Sequence, residues 1–231
     1  TLNVEPTSFF HAALSRREAL QLLAAGMAGS AVLPTLAAAA SSAASRHVAA
    51  RRRIGRIGLQ LYTVRSALAK DIEGTIAAVA AAGITELEFA GYFGKTPAWW
   101  SALLKRHALT APATHEALPV TDDGWPAIFD RAHGMGHAIV IVPFVGNNYR
   151  GTRDNWMKLS ERLNTGAQKA KAAGLQFAYH NHEFEFAPVG DTTGYEILTA
   201  NTDASLVKLE LDLYWAVKAG RDPLEIMTAH Q

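Results

Sequence analysis

From Ile57 onward, short apolar runs alternate with longer amphipathic stretches. Residues 57–62, 84–90, 109–116, 138–144, 175–182 and 206–213 are rich in β-branched and aromatic side chains and read as strands. Residues 71–82, 97–107, 123–133, 152–173, 195–200 and 223–230 carry apolar positions at helical spacing and read as helices. A helix after every strand implies parallel strands joined by crossovers. Ala82-Gly83 and Ala173-Gly174 read as helix ends, and Thr96-Pro97 as a helix start. The pattern predicts an α/β chain built as a TIM-type (βα)8 barrel, with about six of the βα units present. A doubly wound nucleotide-binding sheet normally carries a glycine-rich turn after its first strand. Leu61-Tyr62-Thr63-Val64-Arg65 stands there instead and speaks against it.

Alternation along the strands divides side chains between the helix layer and the barrel interior. In 206–213, Leu209, Leu211 and Leu213 share the helix side, which sends Glu210 and Asp212 inward. In 175–182, Phe177 and Tyr179 face the helices, while Ala178, His180 and His182 face inward. The same rule puts Gln60 and Tyr62 of the first strand, Glu88 of the second and His115 of the third inside. Sites of TIM-type barrels lie at the C-terminal mouth, where these side chains converge. Burying so many polar groups without purpose would be costly.

Tyr179-His180-Asn181-His182-Glu183-Phe184-Glu185-Phe186 is the densest part of the pattern. Two imidazoles two residues apart face one cavity, and carboxylates in the following turn can reach over it. His180, Asp212 and a carboxylate from Glu183 or Glu185, with Glu185 the first choice, make an N/O donor set for a divalent Mn, Co, Zn or Mg ion. His182, Glu183 and Glu88 remain for acid–base catalysis, and Gln60, Tyr62 and His115 for binding substrate.

Composition narrows the reading. Hydrophobic residues make up 49% and charged residues 19% of the 231, as in a globular domain. Without cysteine, any metal must be held by His and carboxylate. Net charge is +1, and the basic excess lies in the first 56 residues, where Arg16, Arg17, Arg46, Arg51, Arg52, Arg53 and Arg56 meet only Glu5 and Glu18. The rest is mildly acidic, which disfavours nucleic acid as a partner. Arg16-Arg17 directly precedes an Ala-rich stretch broken by Gly26, Gly29 and Pro34 and ending in Ala37-Ala38-Ala39-Ala40. Residues 1–40 therefore read as a twin-arginine export signal, 41–56 as a flexible basic lead-in and 57–231 as the barrel. The expected destination is the periplasm, with no stable membrane insertion once the signal is removed.

Four blocks resemble the bacterial sugar phosphate isomerase/epimerase group. They are Ile57-Gly58-Leu59-Gln60-Leu61-Tyr62-Thr63-Val64-Arg65, Glu88-Phe89-Ala90-Gly91-Tyr92, the Phe177-to-Phe186 run and Glu210-Leu211-Asp212-Leu213-Tyr214-Trp215-Ala216-Val217. The resemblance implies a TIM barrel of the xylose-isomerase-like superfamily, whose relatives include inosose dehydratases, hydroxypyruvate isomerases, ketose 3-epimerases and the endonuclease IV fold. Metal ligands in such enzymes usually come from a Glu on the fifth strand, an Asp on the sixth, a His on the seventh and a Glu on the eighth. Asp212 matches the second, and His180 stands where the first would be. Strands seven and eight have no counterpart, so the chain is expected to be a fragment of a longer product and inactive as written. Three functions follow: a divalent-metal isomerase or epimerase for a sugar, sugar phosphate or polyol; an inosose-dehydratase-like or 3-keto-glycoside lyase or hydrolase; and a non-catalytic sugar-binding barrel using Trp99, Trp100 or Trp125 as stacking surfaces.

Overall fold

The computed structural model describes residues 56–230. The expected leader and nearly all of the lead-in lie outside them. Six strands make one parallel sheet in the order β1 (Gly58–Gln60), β2 (Glu86–Phe89), β3 (Thr110–His115), β4 (Ile139–Val142), β5 (Gln176–His180) and β8 (Val207–Glu210). A two-strand antiparallel ribbon, β6 (Pro188–Val189) and β7 (Thr192–Thr193), interrupts the last crossover. The helices are α1 (Arg65–Leu68), α2 (Ile72–Ala81), α3 (Pro97–Arg106), α4 (Trp125–Met135), α5 (Arg153–Ala172), α6 (Gly194–Asn201), α7 (Leu213–Lys218) and α8 (Pro223–Ala229). This is a partial α/β barrel, with β1 and β8 each paired on one side only among the described residues.

Local chemistry sets the ends of the elements. Asp71, Thr96 and Thr152 cap α2, α3 and α5 by accepting from the backbone N–H three residues on. Thr193 and Glu196 form a reciprocal capping box that starts α6. Gly83 and Gly174 take left-handed φ values of +87° and +74° after α2 and α5, where a side chain would be strained.

Along α5, Trp156, Leu159, Leu163, Gly166, Ala167 and Ala170 recur at three- and four-residue spacing and are buried. They pack on the outward faces of β4 and β5, including Val140, Val142, Phe177 and Tyr179. A second helix-side cluster joins Leu61, Leu68, Ile76, Leu87, Phe89, Trp100 and Leu103. The barrel interior holds a smaller apolar plug, Ala113, Ile141 and Ala178. Small side chains there leave space above them at the C-terminal ends of the strands.

The β2–β3 ladder steps from Glu86↔Thr110 to Glu88↔Ala113, which gives β3 one extra residue. Pro112 lies in that step and has no N–H to offer the ladder. The bulge changes which face follows: Ala111 packs with the helix-side cluster, and Ala113 packs inside.

Two expectations need correction. Tyr62 is not a strand residue; it lies in a 3-10 turn, Leu61–Val64, and its side chain is largely exposed. The last strand stops at Glu210 rather than Leu213, because the Asp212 carboxylate accepts the Trp215 N–H at 3.0 Å and starts α7 at Leu213. No helix among the described residues is long and apolar enough to cross a membrane.

Candidate active site

Parallel pairing puts the chemistry at one end. Register joins Gln60 to Glu88 and His180 to Glu210, so side chains of neighbouring strands meet at the C-terminal mouth. Gln60 Nε2 donates to Glu88 Oε1 at 2.7 Å. His115 Nε2 lies 2.9 Å from Glu88 Oε1 and 2.9 Å from Glu210 Oε2. The same Glu210 oxygen lies 2.9 Å from His180 Nδ1, and His180 Nε2 is 3.7 Å from Asp212 Oδ2. Five strand-end residues thus form one continuous polar network.

Its electrostatics follow from that sharing. Burial alone would lower the His115 pKa, but hydrogen bonds with Glu210 and Glu88 overcome it and push it up to about 9. Burial would raise Glu210, yet bonds from His115 and His180 hold it well below the usual carboxylate range. His182 behaves oppositely: burial, reinforced by the neighbouring His180, holds it below 6.5. Its Nδ1 is buried with no hydrogen-bond partner among the described residues.

Above the network opens a cavity of about 450 Å³. Gln60, His115, His180, His182 and Asp212 supply its polar groups, and Tyr62, Phe144 and Trp215 its aromatic walls. The His182 ring stacks on Phe184 at 5.6 Å and meets Phe144 edge-on at 5.7 Å. Asn181, almost fully buried, joins the two mouth segments: its Oδ1 accepts from Asp212 N at 2.9 Å and its Nδ2 donates to Asp212 O at 3.3 Å. The side-chain amide acts as a peptide group and carries the β5–β8 pairing one step beyond the ladder.

His115 Nε2 or Nδ1, one His180 ring nitrogen and one Glu210 oxygen all lie within 4.8 Å of one another. Two imidazoles and a carboxylate fit a divalent ion of the Mn, Co or Zn type. Of the ligands expected from sequence, only His180 belongs to this group. Asp212 stands beside it, with one carboxylate oxygen already capping α7. Glu185 is elsewhere: it is fully buried, its Oε1 accepts from Tyr179 Oη at 2.7 Å and its Oε2 from His182 N at 2.8 Å. Glu183 is half exposed, pairs with Lys218 at 3.3 Å and does not line the cavity. Its turn points it at α7, a helix that the strand reading of 206–213 concealed. Glu88 and Gln60 lie in the network as expected, whereas Glu210 carries a larger part than its inward position alone suggested.

Trp100 and Trp125 are fully buried in the core, Trp99 is partly buried and packs edge-on against Trp100, and none of the three lines the cavity. Beside the expected Tyr62, Trp215 and Phe144 are the aromatic groups at the cavity. Strand alternation could not find them, since both lie just past the ends of strands.

No family model matches the chain. It is similar to an inosose dehydratase of Bacillus anthracis, 32% identical over 111 residues, which is 42% of this chain and 37% of that protein. An inosose dehydratase of Lacticaseibacillus casei is 27% identical over 147 residues, 58% of this chain and 46% of that protein. The matches thus span less than half the length of these curated relatives. Among solved structures, a sugar phosphate isomerase/epimerase of Parabacteroides distasonis superposes with a TM-score of 0.67 at 26% identity, over 78% of this chain and 73% of that one. A family 2 AP endonuclease of Brucella melitensis shares the fold, with a TM-score of 0.58 at 15% identity over 75% and 74% of the two chains.

Proposed function

We propose that this protein acts on a small keto-polyol or keto-sugar by removing a proton from the carbon next to the carbonyl, as an inosose-dehydratase-like lyase. The observation that carries the reading is the division of labour among the imidazoles. His115 and His180 are tied to Glu210, while His182 lines the same cavity and stays neutral near pH 7. A neutral imidazole in a cavity wall is suited to act as a base.

A divalent ion held by His115, His180 and Glu210 would polarise the substrate carbonyl and acidify the neighbouring C–H. His182 takes that proton. Gln60 and Asp212, at the cavity surface, hold substrate hydroxyls, and the Tyr62, Phe144 and Trp215 walls hold the carbon skeleton and exclude water. In elimination, the bond to the β-hydroxyl breaks and His182 returns its proton to the departing oxygen, which leaves as water. Returned instead to the former carbonyl carbon, with the hydroxyl proton of the first carbon passing to the old carbonyl oxygen, the same proton gives isomerisation, the second reading, supported by the likeness to a sugar phosphate isomerase/epimerase. Epimerisation at one carbon normally requires a base on each face, and the carboxylates available for it are committed: Glu88 to Gln60 and His115, Glu183 to Lys218.

The test is incubation of the protein with Mn²⁺ and an inosose, or with a ketohexose, in deuterated water, followed by NMR. Loss of water from the inosose supports the lyase reading; deuterium incorporation with a rearranged carbonyl supports isomerisation. Metal binding with neither product nor deuterium exchange would overturn both and leave a sugar-binding barrel. The expected export to the periplasm by the twin-arginine route is part of the same proposal and rests on Arg16, Arg17 and the stretch that follows them.

A further inference from the structure

A catalytic imidazole is usually aimed by a hydrogen bond to its second ring nitrogen. His182 has no such partner on Nδ1 among the described residues. Nor does the sheet hold it, because β5 ends at His180. What fixes the residue is its main chain, whose N–H donates to Glu185 Oε2 at 2.8 Å.

Glu185 is an unusual group to find in this place. It is 0% exposed, it forms no ion pair among the described residues, and its other oxygen is held by Tyr179 Oη at 2.7 Å. Tyr179 is 1% exposed and belongs to the helix-side core between β5 and α5, so the anchor point is a buried, packed layer. Burying a carboxyl is expensive, and an apolar residue would fill the space at less cost. The cost secures a link that no apolar residue can make, running from the core through Tyr179 and Glu185 to the backbone of His182. Stacking on Phe184 then sets the plane of the imidazole.

We infer that Glu185 is a positioning residue for His182, with Tyr179 as its anchor, holding the imidazole over the cavity through the main chain instead of through the ring. The inference deepens the proposed function and rests on the assignment of His182 as the base, but its geometric part can be tested without turnover. The ring-current-shifted Cε1–H resonance of His182, assigned by its loss in His182→Asn, reports the stack on Phe184. In Glu185→Ala this resonance should move toward the position of an unstacked histidine, and in Glu185→Gln, which can still accept from His182 N, it should stay. Turnover should fall by about a hundredfold in kcat for Glu185→Ala, with KM changed by no more than about threefold, and Glu185→Gln should restore most of it. Should Glu185→Ala not fold, Glu185→Met fills a similar volume and carries the same reading. An unmoved His182 resonance in a folded variant lacking the carboxyl would overturn the inference. A moved resonance with unchanged proton-exchange activity would uphold the positioning and overturn His182 as the base.

Discussion

Glu210→Gln removes the negative charge that two imidazoles share, and its effect can be worked out from the site. His115 lies 2.9 Å from carboxylate oxygens of both Glu210 and Glu88, and its pKa of about 9 stands above the ordinary 6.5. Because the folded value is the higher one, protonated His115 stabilises the fold fully below pH 6.5, and the contribution is lost as pH rises through about 9. At about 1.36 kcal/mol per pH unit, the gap corresponds to about 3 kcal/mol. Two carboxylates divide it, so the variant should forfeit roughly half, about 1.5 kcal/mol, and bring His115 down by about one pH unit. The assay is urea unfolding of chelator-treated protein from about pH 6 to about pH 10, with an NMR titration of His115 beside it. Wild type should lose stability between about pH 6.5 and about pH 9 and level off above that, and the variant should start lower and lose less. Parallel stability curves, or an unmoved His115 titration, would refute the shared-charge arrangement.

Asn181→Ala leaves the Asp212 N–H without its acceptor and should cost about 1–3 kcal/mol in urea unfolding, since Asn181 is almost fully buried. Gly194→Ala drives a methyl group into the Trp156 ring and should destabilise by about 1–3 kcal/mol, with a lowered melting temperature as the readout. Calorimetric titration with Mn²⁺ should show binding abolished in His180→Ala and weakened by about 10- to 100-fold in Asp212→Ala, where only a neighbour of a ligand is lost. Replacing Arg16 and Arg17 together by Lys should leave the protein in the cytoplasm with its leader attached, as followed by fractionation and immunoblotting.

Much of the fold could be read from the chain because each strand carries its own two-residue alternation and each helix its own stripe. Phe177 and Tyr179 against Ala178 and His180 are enough to orient β5, and the structure places them on the faces that alternation assigns. Glu88, His115, His180 and Glu210 converge for the same reason. The reading failed where strands end. Past His180 and Glu210 the backbone leaves the pleat; His182 and Asp212 still reach the cavity as alternation assigns, but parity cannot tell where Glu183 and Glu185 of the following turn point. There, particular hydrogen bonds decide: one Asp212 oxygen is drawn into a helix cap, and Glu185 accepts from Tyr179 in the helix-side core. A 3-10 turn likewise takes Tyr62 off the first strand. The cavity aromatics Phe144 and Trp215 belong to these same segments, and their tertiary neighbours carry no local signature.

The register of β5 with β8 also determines which changes the molecule can absorb. His180 opposes Glu210 as a partner on the ladder, and the 29 residues between them include the β6–β7 ribbon and α6. Their number does not enter the pairing. Lengthening the ribbon turn at Asp191 would alter the outline of the molecule and leave imidazole and carboxylate in contact, whereas a slip of one residue in β8 would set Leu209 or Leu211 beside His180 and dismantle the site. For an engineer the ribbon is thus an insertion port, and for a lineage of such proteins it is where length can drift while the chemistry stays fixed.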